Sequence, residues 1–273
     1  MTTLDVGVGA RRVAGRRGAG RVVAVYRAAA YLRFPAGLLA LTDGRAPSGP
    51  LHLRVATLPQ LAPGDAVDID PTGLHGRQWS VPLDAPTWTG QLPGAEELAR
   101  YRRRHPPGTG DRLGPVLRSD GVAALAGRIG GRGPGLTPSG DDVLAGVLLV
   151  ARALHGAAAE PGLAAVAGSV VTTDVAAAFL AWAARGQCIE PAHSWLAAQA
   201  GGDRVRAAQA LARLDRVGAS SGRALRFGLE SGLGLEPGLG LEPAAAQLPG
   251  SEIHTALVSE RPGFDQQYGR SVG

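Results

Sequence analysis

The chain contains no lysine and no asparagine, and all 28 of its basic residues are arginine. Lysine is the residue that forms Schiff bases, anchors pyridoxal phosphate and binds phosphates in a P-loop. Its absence therefore excludes these three kinds of chemistry from the protein.

Cysteine is also scarce, since Cys188 is the only one. A single cysteine excludes an internal disulfide and a multi-cysteine zinc site, and we interpret it as a structural thiol in a reducing compartment. No run of 18 apolar residues is free of charge, so no transmembrane helix is predicted. Arg27 and Arg33 interrupt the apolar stretch that could suggest a signal peptide. We therefore expect a cytoplasmic protein.

The net charge of +5 and the isoelectric point near 10.3 raise the question of nucleic-acid binding. Aromatic residues make up only 4% of the chain, too few to be interleaved with the arginines as stacking residues. The arginine clusters are Arg11, Arg12, Arg16, Arg17 and Arg21, and Arg100, Arg102, Arg103 and Arg104. We interpret them as solvated surface, so nucleic acid is not the favoured partner, and it stays a third alternative.

Four regions differ in their pattern, and together they predict an α+β fold. Residues 1–20 are rich in Gly and Arg without periodicity and are predicted to be a disordered basic terminus. Residues 21–92 contain short apolar runs cut by turn residues, which predict an antiparallel β-rich portion, a small sheet or barrel. Residues 93–233 are an Ala-rich helical portion that carries the site motif, and residues 234–273 are predicted to be a mobile low-complexity tail.

Individual elements follow from the same patterns. The predicted strands lie at 22–26, 38–41, 51–55, 66–69 and 79–83. The predicted helices lie at 96–104, 120–129, 143–154, 163–185, from a cap at Asp203 to Gly218, and at 220–233. The helix at 143–154 is apolar all round, which indicates that it is enclosed on every side.

The most informative segment is the Gly-rich turn, residues 131–142, which reads GRGPGLTPSGDD. We predict that Thr137 caps the enclosed helix, with Pro138 at its first position. Free amides and the helix dipole would make this terminus an anion site. An ordinary helix start accounts for the cap, the proline and one acid, but not for a second carboxylate ahead of a buried helix. The candidate catalytic residues are Asp141, Asp142 and Ser139.

Two further segments carry candidate binding residues. The turn at 217–222 reads VGASSG, and Ser220 or Ser221 would cap the next helix, which alone is an ordinary cap. Within the predicted helix 163–185, Ser169, Thr172, Thr173 and Ala176 would share one stripe, although threonines in a helix often bond back to a carbonyl. The candidate substrate-binding residues are Gly133, Gly135, Thr137, Gly140, Arg132, Thr173, Ser220, Ser221 and Gly222. The six histidines are scattered without paired spacing, so zinc catalysis has little support.

The string GPGLTPSGDD at 133–142 resembles the hallmark of the AllH-like family, one member of which is a subunit of oxamate carbamoyltransferase. Thr172-Thr173 and the GASSG turn at 218–222 are weaker features of the same resemblance, which extends over about residues 20–232. Three positions depart from the pattern. Arg132 replaces an aliphatic residue, while Ala176 and Ala219 replace small polar residues or histidine.

The resemblance implies transfer of a carbamoyl group between phosphate and oxamate, within purine and allantoin nitrogen metabolism, alongside partner subunits. The ligand would be a small anionic or carbamoyl metabolite. Asp141 or Asp142 could then act as general base or bind Mg²⁺, while Arg128 or Arg132 balances the charge. A non-catalytic metabolite-binding or assembly subunit of a multi-subunit enzyme is the alternative.

Overall fold

The computed structural model describes residues 1–105 and 113–234, so the predicted tail from residue 235 onward lies outside the described residues. A curled nine-stranded sheet is followed by a helical portion, which confirms the α+β prediction. The strands are β1 (Thr3–Gly7), β2 (Gly18–Val25), β3 (Ala29–Phe34), β4 (Gly37–Asp43), β5 (His52–Val55), β6 (Ala66–Asp70), β7 (Gly73–His75), β8 (Ser80–Pro82) and β9 (Thr87–Trp88).

The helices cluster after the sheet, apart from the first. They are α1 (Val8–Ala14), α2 (Ala95–Arg104), α3 (Gly114–Ser119), α4 (Gly121–Ile129), α5 (Ser139–His155), α6 (Glu160–Ser169), α7 (Asp174–Ala184), α8 (Glu190–Gly201), α9 (Arg204–Leu214) and α10 (Ser221–Gly232). In the part of the chain that the structure describes, none is long and apolar enough to cross a membrane.

The strand order in the sheet is β8-β7-β6-β2-β3-β4-β5-β1-β9. Most neighbours are antiparallel as predicted, but β4 pairs with β5 and β1 with β9 in parallel. Residues alternate across β3, where Ala30, Leu32 and Phe34 are buried in the core of the sheet portion. The residues between them, Tyr31 and Arg33, point to the opposite face, toward the helical portion.

The first twenty residues are not the disordered terminus that their composition predicted, because they form β1, α1 and the start of β2. Val6, Ala10 and Val13 are buried in the core of the sheet portion, and this burial outweighs the ordering cost of a Gly- and Arg-rich segment. The guanidinium of Arg11 donates to the carbonyls of Leu83 and Ala85, at 2.7 and 2.6 Å. The basic character of this segment therefore serves anchoring as well as solubility.

The core of the helical portion is built around α5, of which every residue from Val143 to Ala151 is buried. Helix α10 packs closely on it, and small residues make the approach possible. A Cβ atom on Gly228 would lie 1.9 Å from the carbonyl oxygen of Val143, and one on Gly146 would lie 2.5 Å from that of Leu225. This packing fixes the N-terminus of α10 beside that of α5.

The predicted helix 163–185 is wrong as a single element, because it is divided into α6 and α7 by residues 170–173. The four residues Val170, Val171, Thr172 and Thr173 are all β-branched, and Val170 and Thr173 adopt extended backbone angles. β-Branched side chains lose rotamer freedom in a helix, and threonine hydroxyls have other partners here. We call residues 170–173 the threonine linker. The sequence analysis also missed α1, α3, α8, β1, β3, β7 and β9.

Candidate functional site

Three segments singled out from the sequence meet at one place, which we call the junction. They are the Gly-rich turn (131–142), the threonine linker (170–173) and the turn at 217–222. The hydroxyls of Thr137 and Ser221 share a hydrogen bond of 3.0 Å, which joins the first segment to the third. Thr173 donates to the carbonyl of Leu136, and Thr172 donates to Asp141, so the second segment is bound to the first at two points.

The Gly-rich turn has a backbone path that side chains would block. At Gly131, φ is +69°, and a Cβ atom would lie 2.3 Å from the carbonyl oxygen of Val171 in the threonine linker. At Gly140, a Cβ atom would lie 2.0 Å from the carbonyl oxygen of Ile129 at the end of α4. A Cβ atom on Gly133 would lie 2.7 Å from the amide nitrogen of Ser139. The predicted binding residues Gly133 and Gly140 therefore have packing reasons to be glycine.

The predicted cap of α5 is wrong in detail. The helix begins at Ser139, Pro138 is the residue before it, and no side chain caps it. Thr137 is not free to cap, because its hydroxyl bonds to that of Ser221 instead. Thr173 does act as a cap, for α7, where its hydroxyl accepts from the amide of Ala176 at 3.1 Å. Tertiary contacts between the three segments have replaced the local capping pattern.

The amides at the start of α5 are mostly used inside the chain. Gly140 donates to the carbonyl of Arg132 at 2.9 Å, and Asp141 and Asp142 both donate to that of Pro138. An anion site needs amides that face the ligand, and the predicted anion site at this helix terminus is left with few of them. Ser139 is half-buried and is the first residue of the helix. Its amide nitrogen lies close to Gly133 of the Gly-rich turn.

Asp141 has a structural role. Its side chain is buried, one oxygen accepts from the amide of Gly131 at 2.7 Å, and the other accepts from the hydroxyl of Thr172. Charge-assisted hydrogen bonds to both oxygens satisfy a buried carboxylate. Asp141 therefore holds the Gly-rich turn to the threonine linker, and its oxygens do not face a ligand.

Asp142 differs from its neighbour in both contacts and charge. Its Oδ2 atom is buried and has no hydrogen-bond partner among the described residues. Burial raises the pKa of Asp142 to about 7, with a smaller contribution from the charge of Asp141, while the Ser221 hydroxyl acts in the opposite direction. A carboxyl group that exchanges its proton near neutral pH and has an unfilled acceptor is typical of a functional group rather than a structural one.

The sheet portion reaches the same place through Tyr31, a residue that the sequence analysis missed. Burial raises the pKa of Tyr31 to about 12, and the charges of Tyr26 and Asp142 add to the effect. Its ring lies edge-on to Phe179 of α7, with centroids 6.4 Å apart. Tyr31 and Leu136 of the Gly-rich turn both pack against one small buried cluster. Only the period-two alternation of β3 could have shown that Tyr31 faces the helices.

The arginines are placed differently from the prediction. Arg128 forms an ion pair with Asp120 and is not available to a ligand. Arg132 is exposed on the Gly-rich turn, beside the exposed Gly133 and Gly135. Arg33 of β3, which the sequence analysis named only as a break in an apolar run, forms an ion pair with Asp174, the first residue of α7.

The remaining candidate residues of the third segment divide by exposure. Ser220 is exposed and precedes α10 without capping it through its side chain. Gly222 is buried, and a Cβ atom there would lie 1.7 Å from the carbonyl oxygen of Leu214. Ser221 lies between them and hydrogen-bonds to Thr137 of the Gly-rich turn.

The other buried titratable groups near α8 are structural. The Nε2 atom of His193 accepts from the amide of Cys188 at 3.0 Å, so its Nδ1–H donates to the carbonyl of Gln91. Burial lowers the pKa of His193 and raises that of Cys188 to about 12. The thiol of Cys188 is neutral, and the neutral imidazole of His193 accepts from the Cys188 backbone amide rather than from the thiol. The two side chains are therefore not a nucleophilic pair.

The residues present do not fit Mg²⁺. Residues 1–105 and 113–234 contain no group of three or more His, Cys, Asp or Glu side chains that could hold a metal ion. Mg²⁺ takes oxygen ligands in near-octahedral geometry, whereas both oxygens of Asp141 already accept hydrogen bonds within the chain.

Two surface depressions lie away from the junction. One, of about 210 Å³, is lined by Arg16, Arg17 and Phe34 among others. The second, of about 540 Å³, is lined by residues that include Tyr26 and Leu58. Asp142 lines neither of these two depressions.

Comparison with known proteins agrees with the motif. Residues 129–233 match the model of the family described as oxamate carbamoyltransferase subunit AllH. The resemblance is therefore confirmed over these residues, which contain the Gly-rich turn from Gly131, the threonine linker and the turn at 217–222. The match begins at residue 129 and does not extend back to about residue 20 as predicted. The whole sheet portion lies outside it. No curated protein and no solved structure matches the chain.

Proposed function

We propose that this chain is a subunit of a carbamoyltransferase that moves a carbamoyl group between phosphate and oxamate, and that a small anionic or carbamoyl metabolite binds at the junction. The unfilled, buried Oδ2 atom of Asp142 carries the proposal. The family match supports it, since the matched residues include all three segments that surround this carboxyl group.

Asp142 would serve as the proton acceptor of the transfer. The amide nitrogen of oxamate attacks the carbonyl carbon of carbamoyl phosphate, a C–N bond forms, the C–O bond to phosphate breaks, and the nitrogen loses a proton to the Asp142 carboxylate. In the reverse direction, the protonated carboxyl returns this proton to the departing nitrogen. A pKa of about 7 suits a group that must act in both directions at neutral pH.

Partner subunits would complete the site. Carbamoyl phosphate carries negative charge on its phosphate, while the first-turn amides of α5 are largely used within the chain. The exposed residues of the junction include the cation Arg132 and the apolar Val171, and the latter is 92% exposed. In our proposal, the partner supplies the cations for the phosphate and closes the surface, and the assembly works in the cytoplasm.

The test measures turnover by a mixture of the full chain and the proteins that neighbouring genes encode. Release of phosphate from carbamoyl phosphate in the presence of oxamate should be lost in Asp142→Asn, about 100-fold or more if the carboxyl is the general base. Asp68→Asn, an exposed carboxylate on β6, is the matched control and should turn over as the original chain does.

The pH profile makes the assignment specific. Transfer to oxamate needs the ionised carboxyl, so kcat/KM should rise with pH toward a plateau above about pH 7, and this limb should be absent from the residual activity of Asp142→Asn. A limb that persists in the variant, or full activity of the variant, would contradict the role of Asp142.

A non-catalytic subunit that binds a metabolite or assists assembly is the second candidate. It is favoured by the shortage of free amides at α5, because the chemistry would then fall to a partner. The isolated chain would bind oxamate saturably without turnover, and Asp142→Asn would weaken binding while the assembly kept its kcat. Binding that fell linearly with the logarithm of salt concentration on DNA would instead indicate the nucleic-acid alternative.

A further inference from the structure

Strand β3 presents two polar side chains to the helical portion at the edge of the junction. Tyr31 and Arg33 are separated by one residue and lie on the same face, which is opposite to that of the buried Leu32. Tyr31 contacts Phe179 of α7, and Arg33 pairs with Asp174 at the start of the same helix. Both lie outside the residues matched by the family model.

Arg33 has hydrogen-bonding capacity that the chain does not use. Its Nε atom is buried and has no partner among the described residues. The ion pair with Asp174 is open to solvent, since the Asp174 side chain is 73% exposed, and exposed pairs contribute little to stability. The pair therefore leaves the guanidinium able to accept a second anion.

The charge around Arg33 favours such an anion. Arg21 on β2 lies directly opposite Arg33 in the sheet, so the two side chains share one face. Like charges in opposite positions repel, and Asp174 neutralises only one of the two. A bound carboxylate would relieve this repulsion.

The two unfilled atoms of this region are complementary. The Asp142 Oδ2 atom accepts a hydrogen bond, and the Arg33 Nε–H donates one. Tyr31, two residues before Arg33 on the same face of β3, is near enough to Asp142 for the two groups to interact electrostatically. A ligand that satisfies both carries an amide N–H₂ group at one end and a carboxylate at the other, and arginine binds carboxylates through paired N–H donors.

We propose that Arg33, supported by Tyr31, binds the carboxylate of the ligand whose amide end faces Asp142, so that the sheet portion determines which acyl amides the junction accepts. This proposal rests on the proposed function and adds the specificity for a carboxylate to it. It commits to α-amido carboxylates such as oxamate, and not to neutral diamides such as oxamide.

A purely structural role for Arg33 is the competing interpretation. As a latch between β3 and α7, the residue would contribute to stability only, and its loss would weaken binding of charged and neutral ligands alike. As a carboxylate-binding residue, it discriminates between them. The comparison of oxamate with oxamide separates the two roles.

The experiment is calorimetric titration of the full chain with oxamate and with oxamide. The original chain should prefer oxamate. Arg33→Gln should weaken oxamate binding roughly 10- to 100-fold, the value of a charge-assisted hydrogen bond, and leave oxamide binding unchanged. Arg33→Lys, which keeps the charge but loses the Nε–H, should fall between. Asp174→Asn breaks the latch but should keep the preference, and Arg206→Gln, with an 80% exposed side chain, is the surface control.

The outcomes separate the two proposals. If the original chain binds oxamate and Arg33→Gln binds it equally well, the role of Arg33 is wrong while the proposed function stands. Equal losses for oxamate and oxamide in Arg33→Gln and in Asp174→Asn would show the latch role alone. If the original chain binds neither compound, the proposed function fails at this site, and the role of Arg33 fails with it.

Discussion

The hydroxyl of Thr172 donates a hydrogen bond to the carboxylate of Asp141, across the break between α6 and α7. The same carboxylate accepts from the amide of Gly131, so one buried side chain joins the threonine linker to the Gly-rich turn. This bond explains why two adjacent aspartates at the start of α5 have different roles. Asp141 holds the turn in place, and Asp142 is left with an unfilled oxygen beside Ser221.

Thr172→Val should destabilise the protein by about 1–3 kcal/mol, because it leaves a buried carboxylate oxygen without its donor while keeping the shape of the side chain. Thr172→Ser restores the hydroxyl and should recover most of the loss. The measurement is urea unfolding at pH 7. Equal stability of the valine and serine variants would contradict the structural role of this bond.

Asp142→Asn should stabilise the protein, and the gain should depend on pH. The unfolded carboxyl loses its proton near pH 4 and the folded one near pH 7, so the folded state holds an extra proton between these values. Stability of the original chain therefore falls as pH rises through this window, by on the order of 2–4 kcal/mol in total. The asparagine variant lacks this dependence, so its advantage should be absent at pH 4 and full at pH 8.

Thermal unfolding of both chains between pH 4 and pH 8 measures the effect. Asp141→Asn is the matched comparison at the adjacent position, and it should destabilise at pH 8, because it replaces an oxygen that accepts a hydrogen bond with an amide group. A pH-independent difference between Asp142→Asn and the original chain would show that Asp142 is not buried as described.

The sequence alone was sufficient to find the Gly-rich turn, because its length and composition exceed what a helix start requires. It could not separate Asp141 from Asp142. Adjacent helix positions point about 100° apart, and which of them meets the threonine linker depends on the packing of α5 against α6 and α7. The threonines were assigned to a helix for a related reason. Alanines on both sides of the linker favour helix, whereas the four β-branched residues between them oppose it.

The alternation of β3 could place Tyr31 and Arg33 on one face of a strand, but it could not show what that face contacts. Tyr31 and Arg33 are polar residues in a short strand, and only the folded chain brings them to the start of α7. The order of the N-terminus does not show in the sequence, because only a few apolar residues, such as Val6 and Val13, are buried there. They are too few to produce a detectable periodicity.

The close packing of α5 and α10 should be sensitive to a single methyl group. Gly228→Ala places a Cβ atom 1.9 Å from the backbone oxygen of Val143, so one helix must move away, and a loss of about 2–3 kcal/mol or more is expected. Gly127→Ala in α4 is the control. It has open space around the added Cβ atom, and it should gain about 0.5–1 kcal/mol from helix propensity.

Both glycine variants are compared by urea unfolding. Because α10 positions Ser221 at the junction, Gly228→Ala should also weaken oxamate binding, whereas Gly127→Ala should not. Opposite signs of the two stability changes are the expected result. A neutral Gly228→Ala would mean that the two helices lie farther apart than the structure places them.

The anchoring of the N-terminus by Arg11 can be tested in the same way. Arg11→Ala removes the donors to the carbonyls of Leu83 and Ala85 and the contact with the hydroxyl of Thr87, so β9 should loosen from β1 and the protein should lose about 1–3 kcal/mol. Arg16→Ala, an exposed arginine just beyond α1, should change stability by less than about 0.5 kcal/mol. Limited proteolysis should then cut Arg11→Ala within residues 1–20 faster than the original chain or Arg16→Ala. Rapid cleavage of the original chain at these residues would instead support the disordered terminus that the composition predicted.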